Sequence, residues 1–240
     1  MALPAEARSL THRSAPFESL IQLPDGHLMA VSGAGPERAD IAARRLVAHD
    51  IQALVSWGCA AAIASHIAPG HLVLPERILG EQGDEHHTDT LWRDQLAQSL
   101  PHHISREGGT LIESSGVVAS KTQKQALHAQ TGGLALDMES AAVARVAHSQ
   151  KLPFLAVRAI ADPAELDFPD AVSRALNPRG DVHIIRLLGH LARRPQQIGE
   201  LMALGRAFNA AIKTLNHVRG AAGRNFNLPE SPTPNSHRQP

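Results

Sequence analysis

Short apolar runs alternate with amphipathic stretches along most of this chain. The apolar runs with the length and content of buried strands are residues 28–32, 53–56, 71–75, 117–120, 134–137 and 154–160. Helical spacing of apolar positions marks other stretches, most clearly residues 38–49, 140–148, 181–192 and 197–217. Strands that alternate with helices predict an α/β fold, here a single domain in which one mixed β-sheet is flanked by helices.

The composition changes near the end of the chain. The 240 residues are 43% hydrophobic, which is enough for one well-buried core. From Gly220 onward the sequence is rich in Arg, Asn, Ser and Pro and has little to bury. We therefore predict one domain over residues 1–219 and a disordered tail over residues 220–240.

Charge and cysteine content exclude several classes of function. The formal net charge is zero and the pI is about 7.3, so no basic surface is expected and nucleic acid is not an expected partner. The single Cys59 cannot form an internal disulfide, and the N-terminus has no signal-peptide pattern, which favours the cytoplasm. The densest histidine clusters, at 85–87 and 102–103, lack the spacing that places two ligands on one helix face. No metal site is expected.

Two of the predicted strands stop abruptly at carboxylates. The segment 134–142 passes from an apolar strand through Asp137 to Glu139 at the start of a helix, and the segment 157–162 ends at Asp162, before a proline. Ligands of open α/β sheets bind at the carboxyl ends of strands, so Glu139 and Asp162 are expected to share one pocket rim. Taken singly, Glu139 is equally consistent with a helix-start acid and Asp162 with a turn residue.

A glycine-containing turn at residues 32–36, Ser-Gly-Ala-Gly-Pro, joins a predicted strand to a predicted helix. Backbone amides of such a turn, together with the helix N-terminus, can approach an anion closely. Arg38 suits phosphate because its planar guanidinium binds in a bidentate manner, although a surface arginine fits the position equally well. A dinucleotide site is disfavoured, because Arg38 replaces the third glycine and the next strand ends at Ser56 rather than at an acid.

The acidic segments and the turn together resemble the purine nucleoside phosphorylase and methylthioadenosine nucleosidase superfamily. Within it, the sequence is similar to the hopanoid-associated phosphorylases, whose order of motifs is followed by residues 3–8, 31–39, 137–140 and 193–197. The resemblance spans about residues 3 to 217. It implies a nucleoside phosphorylase-like fold and phosphorolytic release of adenine from adenosylhopane. The implied partners are a nucleoside that carries a hopanoid lipid, a peripheral contact with a membrane, and further copies of the chain in a homo-oligomer.

The resemblance also implies roles for the candidate residues. Met138, Glu139 and Ser140 would bind the ribose, and Asp162 would protonate the purine. Phosphate would be a co-substrate, with no cofactor needed. Its implied ligands are Ser32, Gly33, Gly35, Arg38 and Gly58. Glu6 matches the acid that activates the attacking water in the nucleosidase branch.

Departures from the family pattern leave the nucleophile open. Relatives place Arg, Gly and Ser or Thr where this chain has residues 56–59, so the second arginine is absent and Cys59 is the weaker donor. Either phosphate or water could therefore attack, and hydrolysis of methylthioadenosine or S-adenosylhomocysteine is the alternative activity. A non-catalytic nucleoside- or lipid-binding protein is a further alternative.

Two more departures concern the acid and the start of the chain. Ala161 replaces the serine that usually precedes the acid, so Asp162 needs another partner. Relatives also have an apolar strand before the segment that contains Glu6. No such strand lies between Met1 and Glu6, which indicates either that a strand is lost or that the start is wrongly assigned.

Overall fold

The structure is a computed structural model that describes residues 1–167, 197–223 and 226–229. Its helices are α1 (Arg8–Thr11), α2 (Pro36–Val47), α3 (Thr90–Ser99), α4 (Lys121–Thr131), α5 (Ser140–Ser149) and α6 (Gln197–Ala221). Its strands are β1 (Leu20–Gln22), β2 (Leu28–Ala30), β3 (Leu54–Ala62), β4 (Leu72–Val73), β5 (Arg77–Leu79), β6 (Glu85–His87), β7 (Arg106–Glu107), β8 (Thr110–Glu113), β9 (Ala135–Asp137) and β10 (Phe154–Asp162). The helix predicted over 181–192 lies outside the described residues.

The main sheet has eight strands in the order β6-β5-β8-β9-β3-β10-β4-β7, and β1 and β2 form a separate hairpin. Its centre is the parallel pair β3 and β10, whereas β9 runs antiparallel to β3. This mixed sheet confirms the predicted α/β class. Side chains of β10 alternate between two buried clusters, one shared with α2 and α5 and the other with α3 and α6. Because both faces are covered by helices, the central strands read as continuous apolar runs.

Most predicted strands are confirmed, with β3 extending well beyond the predicted end. The strand predicted over residues 117–120 is wrong, because this stretch is irregular and leads into α4. Ser120 caps that helix, with its hydroxyl accepting from the backbone N–H of Gln123 in a capping box. The strand of this region is instead β8, which is buried along its whole length.

The first residues of the chain run beside β2. Met1 donates from its amino group to the Ala30 carbonyl at 3.2 Å, and the Met1 carbonyl accepts from the Ser32 N–H at 2.9 Å. A cavity of about 400 Å³ is lined by residues of β2 and β3 together with Trp92 and Phe226. The first residues thereby place Glu6 against β3, where its Oε1 accepts from the Cys59 N–H.

The end of the described chain packs on the domain. Ala222 and Phe226 are buried, and the indole N–H of Trp92 donates to the Phe226 carbonyl at 2.6 Å. The Phe226 ring also meets Trp57 edge-on, with ring centroids 5.6 Å apart. The expectation that the chain buries little beyond Gly220 is therefore wrong for this stretch, because one aromatic side chain anchors an otherwise polar segment. Residues 230–240 lie outside the described part, where disorder stays a prediction.

Of the helices that the structure describes, none is long and apolar enough to cross a bilayer.

Candidate active site

The candidate site lies where β9 meets the middle of the sheet. Leu136 of β9 is opposite Ala61 of the antiparallel β3, so the chain leaves β9 alongside the centre of β3. There it faces Arg158, which lies opposite Gly58 in the parallel β10. The expectation that β9 and β10 end at the same carboxyl edge is thus wrong, because the sheet is mixed. Glu139 and Asp162 belong to different hydrogen-bond networks, and their common pocket rim stays a prediction.

A closed polar network surrounds Arg158, whose side chain is 1% exposed. Its Nη2 donates to the Ser56 hydroxyl at 2.6 Å and to the Ser140 hydroxyl at 3.0 Å, and lies 2.5 Å from Asp137 Oδ2. Asp137 also accepts from the hydroxyl of Ser140 at 2.6 Å. Burial alone would lower the pKa of Arg158, but the carboxylates of Asp137, Glu139 and Glu6 raise it above its usual value. The network fixes the start of α5 on the sheet.

Sequence reasoning missed Arg158 as a site residue. The available signal was a single cation in the otherwise apolar strand 154–160. Such a charge is expected inside a sheet only if it is paired.

Glu139 precedes α5 and is 8% exposed. Its side chain does not cap the helix, but accepts from the Gly35 N–H at 3.0 Å. Burial, and then repulsion by Asp137, raises the pKa of Glu139 to about 7, against the opposing effect of Arg158. The structure therefore brings this acid to the glycine turn and gives it a carboxyl that titrates near neutrality.

The predicted phosphate turn has internal partners for three of its amides, of which the Ser32 N–H donates to the Met1 carbonyl. The Gly33 N–H donates to the Ala2 carbonyl at 3.0 Å, and the Gly35 N–H donates to Glu139. The Ser32 hydroxyl donates to the Gly33 carbonyl at 2.7 Å. Arg38 is half-buried on the first turn of α2, as predicted from the sequence. A phosphate at this turn would have to displace the Glu139 carboxylate from Gly35, and its binding there stays a prediction.

Gly58 lies between a carboxylate and a guanidinium. A methyl group built on it would lie 2.7 Å from Glu6 Oε1 and 2.7 Å from Arg158 Nη1, so only glycine fits. Arg158 Nη1 is buried and has no hydrogen-bond partner among the described residues. A buried donor without an acceptor is costly, so a polar ligand such as water or an anion oxygen would stabilise this point.

Glu6 is 3% exposed and held by three backbone N–H groups. Oε2 accepts from Ala2 at 3.1 Å and Leu3 at 2.9 Å, and Oε1 accepts from Cys59 at 2.8 Å. Burial and the nearby Glu6 carboxylate raise the pKa of the Cys59 thiol well above its usual value, so this thiol stays protonated. Glu6 is therefore fixed beside Arg158, which the alternative of an exposed helix-start acid does not describe.

Asp162 is bound by a lysine that sequence reasoning missed. Its Oδ1 accepts from Lys124 Nζ at 2.8 Å, and its side chain is 13% exposed. Burial raises the pKa of Asp162, while the ammonium of Lys124 opposes that rise. The available signal was the place of Lys124 in the helix, one turn before Leu127, which packs on the core. Lys124 is the partner that Asp162 needs in place of a serine at position 161.

Within the described residues, no group of three or more His, Cys, Asp or Glu is placed to hold a metal ion.

The mixed sheet and its helices define an α/β fold of the nucleoside phosphorylase and nucleosidase type. The family model of the phosphorylase superfamily matches residues 26–180, and the chain belongs to this superfamily. No curated protein sequence matches the chain.

Solved structures show the same fold at low identity. The 5'-methylthioadenosine/S-adenosylhomocysteine nucleosidase from Neisseria meningitidis, in complex with methylthio-immucillin-A, is 15% identical with a TM-score of 0.68, over 95% of this chain and 96% of that chain. The S-adenosylhomocysteine nucleosidase from Streptococcus pyogenes, in complex with 5-methylthiotubericidin, is 20% identical with a TM-score of 0.63, over 95% of both chains. A futalosine hydrolase mutant from Helicobacter pylori is 18% identical with a TM-score of 0.52, over 55% of this chain and 69% of that chain.

Proposed function

We propose that this protein cleaves the N-glycosidic bond of an adenosine derivative and releases adenine. The observation that carries the proposal is that two buried acids with raised pKa values are held by fixed partners, Glu139 at the start of α5 and Asp162 at the end of β10. Acids whose pKa values are raised are typical of general acid and base catalysis. Membership of the phosphorylase superfamily and the nucleoside analogues bound by the structural neighbours support the same chemistry.

The two acids have different tasks in this mechanism. Ionised Glu139 accepts hydrogen bonds from the ribose hydroxyls, with Met138 against the sugar. Protonated Asp162 donates to a ring nitrogen of the purine, which makes the base a better leaving group as positive charge develops on the sugar.

We propose phosphate as the nucleophile, bound by Arg38 and the glycine turn at residues 32–35, with Gly58 on the facing strand. In support, Arg38 lies on the first turn of α2, where the guanidinium and the helix N-terminus both favour an anion. When the ribose hydroxyls draw the Glu139 carboxylate to themselves, the Gly35 N–H becomes free to donate to phosphate. Substrate binding would thereby complete the phosphate site.

Hydrolysis is the second candidate, and a specific observation favours it. Glu6 and Arg158 meet at Gly58, and the Nη1 donor of Arg158 lacks a partner among the described residues. The surrounding carboxylates of Glu6, Asp137 and Glu139 repel a phosphate dianion but not a neutral water. Glu6 would then take the proton of the attacking water.

For the substrate we propose adenosylhopane, in a cytoplasmic homo-oligomer that touches the membrane surface to reach the lipid. The support is the order of the sequence motifs shared with the hopanoid-associated phosphorylases. The opening beside Asp162, which includes Leu166 and Leu204, offers apolar contacts to such a substrate.

The test is an adenine-release assay with adenosylhopane in phosphate-free buffer, with and without added phosphate, followed by mass analysis of the sugar product. We expect phosphate to accelerate release and the sugar product to carry a phosphate. Equal rates without phosphate, together with loss of activity in Glu6→Ala, would establish hydrolysis instead. If no adenosine derivative releases adenine, the protein is a binding protein and the proposal is wrong.

A further inference from the structure

Lys124 is a fully buried cation outside the sugar and nucleophile sites. Its side chain is 0% exposed. Nζ donates to Asp162 Oδ1 at 2.8 Å, to the Pro163 carbonyl at 3.0 Å and to the Leu166 carbonyl at 3.1 Å. An ammonium has three N–H donors, so all of them are used.

All three acceptors belong to one short stretch, the end of β10 and the loop that follows it. Helix α4 is fixed to the same loop at a second point, where Lys121 donates its backbone N–H to Asp167 Oδ1 at 2.7 Å and its side chain pairs with Glu165. Burying a lysine carries a large desolvation penalty. The loop could be held by Lys121 alone, so the buried charge of Lys124 calls for a reason at Asp162 itself.

The two oxygens of Asp162 are in different environments. Oδ1 is bound to Lys124, whereas Oδ2 accepts no hydrogen bond from the residues that the structure describes. Ala161 offers no hydroxyl to orient the carboxyl group. The opening beside Asp162, about 220 Å³ in volume, gives the side chain access to a ligand, and its other titratable groups are Glu165 and Asp167 of the loop and Glu200 of α6.

We propose that Lys124 is a positioning residue that fixes Oδ1 of Asp162 and so directs the protonated Oδ2 to the purine. The inference rests on the proposed function of Asp162 as the general acid. The proton on Oδ2 passes to a ring nitrogen of the base as the N-glycosidic bond breaks. The carboxylate left behind is stabilised by the ammonium beside it, and solvent restores the proton after the base departs.

The ammonium also sets the pH range of the acid. A cation beside a carboxyl group favours the ionised form, so removal of Lys124 raises the pKa of Asp162. The general acid acts in its protonated form, so activity is lost as the pH rises through its pKa. Without Lys124 this basic limb therefore moves to higher pH, although the acid is less well placed and weaker.

The experiment compares Lys124→Met with Lys124→Arg, with Lys121→Met as the matched control. Lys121 lies on the same helix and faces the same loop, but its side chain pairs with Glu165 rather than Asp162. We expect Lys124→Met to lower kcat by about tenfold or more with little change in KM, and to move the basic limb upward by about one pH unit. Lys124→Arg should return the basic limb of the pH profile close to its wild-type position. Lys121→Met should match the wild type in kcat and in the position of the basic limb.

A lower kcat with an unmoved basic limb would show that Lys124 has only a structural role and would overturn the inference. So would a wild-type rate in Lys124→Met. The carboxyl titration of Asp162, followed by carbon NMR in the wild type and in Lys124→Gln, tests the coupling without catalysis. An unchanged pKa of Asp162 there also overturns it. If Asp162→Asn is as active as the wild type while that pKa does shift, the proposed function of Asp162 fails and the pairing with Lys124 stands.

Discussion

Arg158 and Asp162 lie four residues apart on β10, and the strand holds their charges in different ways. At Arg158 every partner comes from the sheet or from the start of α5, and the side chain is 1% exposed. At Asp162 the partner comes from α4, and the side chain is 13% exposed. A closed network suits fixed contacts to the sugar, because its partners hold one geometry throughout the reaction. A proton donor has to be reloaded after each turnover, which requires the more open position.

The largest expected effect comes from breaking the closed network. Arg158→Met leaves the buried side chain of Asp137 without its cation, and removing one partner of a buried pair costs about 3–5 kcal/mol of unfolding free energy. Urea denaturation measures it. Arg44→Met is the control, because Arg44 pairs with Asp40 on the exposed face of α2, with side chains 63% and 33% exposed, so its loss is expected to leave the unfolding free energy nearly unchanged. Similar losses in the two variants would show that the network around Arg158 is worth no more than a surface pair.

The second prediction concerns the pH dependence of the unfolding free energy that buried Glu139 causes. Glu139 has a pKa of about 7 in the folded protein against an ordinary 4.5, so the folded state binds the proton more tightly. Unfolding free energy should therefore fall as the pH rises between these values and level off above about 7. The shift corresponds to a fall on the order of 3 kcal/mol.

Denaturation of the wild type and of Glu139→Gln at pH 5 and pH 8 measures this fall in unfolding free energy. The neutral amide cannot titrate, so the fall should be smaller in the variant, while the histidines contribute equally to both. The same fall in both proteins would show that Glu139 is not the buried titrating group.

The third prediction concerns the open end. Asp162→Asn removes the transferable proton but keeps the shape and an oxygen that can accept from Lys124, so adenine release should fall about a hundredfold. The buried ammonium of Lys124 loses its countercharge, so the melting temperature is also expected to fall, and activity is compared at a temperature at which both proteins are folded. Asp167→Asn is the control, since Asp167 is exposed on the same loop and accepts from the backbone N–H of Lys121. Comparable losses of activity in both variants would indicate loop damage rather than acid catalysis.

Much of this architecture was predictable from the sequence, because apolar periodicity reports burial directly. The central strands and the flanking helices follow from it, as does the strand, turn and helix around Gly35. The antiparallel direction of β9 was not predictable, since the apolar pattern of a strand is the same whichever way the strand runs in the sheet. The strand β8 was missed because only its two middle residues, Leu111 and Ile112, are apolar, which is too short a run to indicate a buried strand.

The partners of the site residues were harder to foresee. Arg158 and Lys124 are distant in sequence from most groups that they bind, and pairing across a fold leaves no local pattern. Phe226 shows the same limit, since its segment is polar and the residues that bury it, Trp57 and Trp92, are distant in sequence. Sequence reasoning found which residues carry chemistry, whereas the structure shows which groups hold them.

The smallest expected effect tests whether Glu139, within the closed network, binds the ribose hydroxyls. At pH 8, ionised Glu139 should accept charge-assisted hydrogen bonds from the ribose hydroxyls, which Glu139→Gln replaces with weaker neutral ones. KM for a ribonucleoside should therefore rise about tenfold, which corresponds to about 1.4 kcal/mol. A 2′,3′-dideoxy analogue lacks the hydroxyls, so its KM should hardly change. Ser149→Ala, far along α5 with its hydroxyl bonded to the Val146 carbonyl, is the control that should leave both substrates unaffected. Equal losses on both substrates in Glu139→Gln would remove Glu139 from the ribose and leave it a structural partner of Gly35.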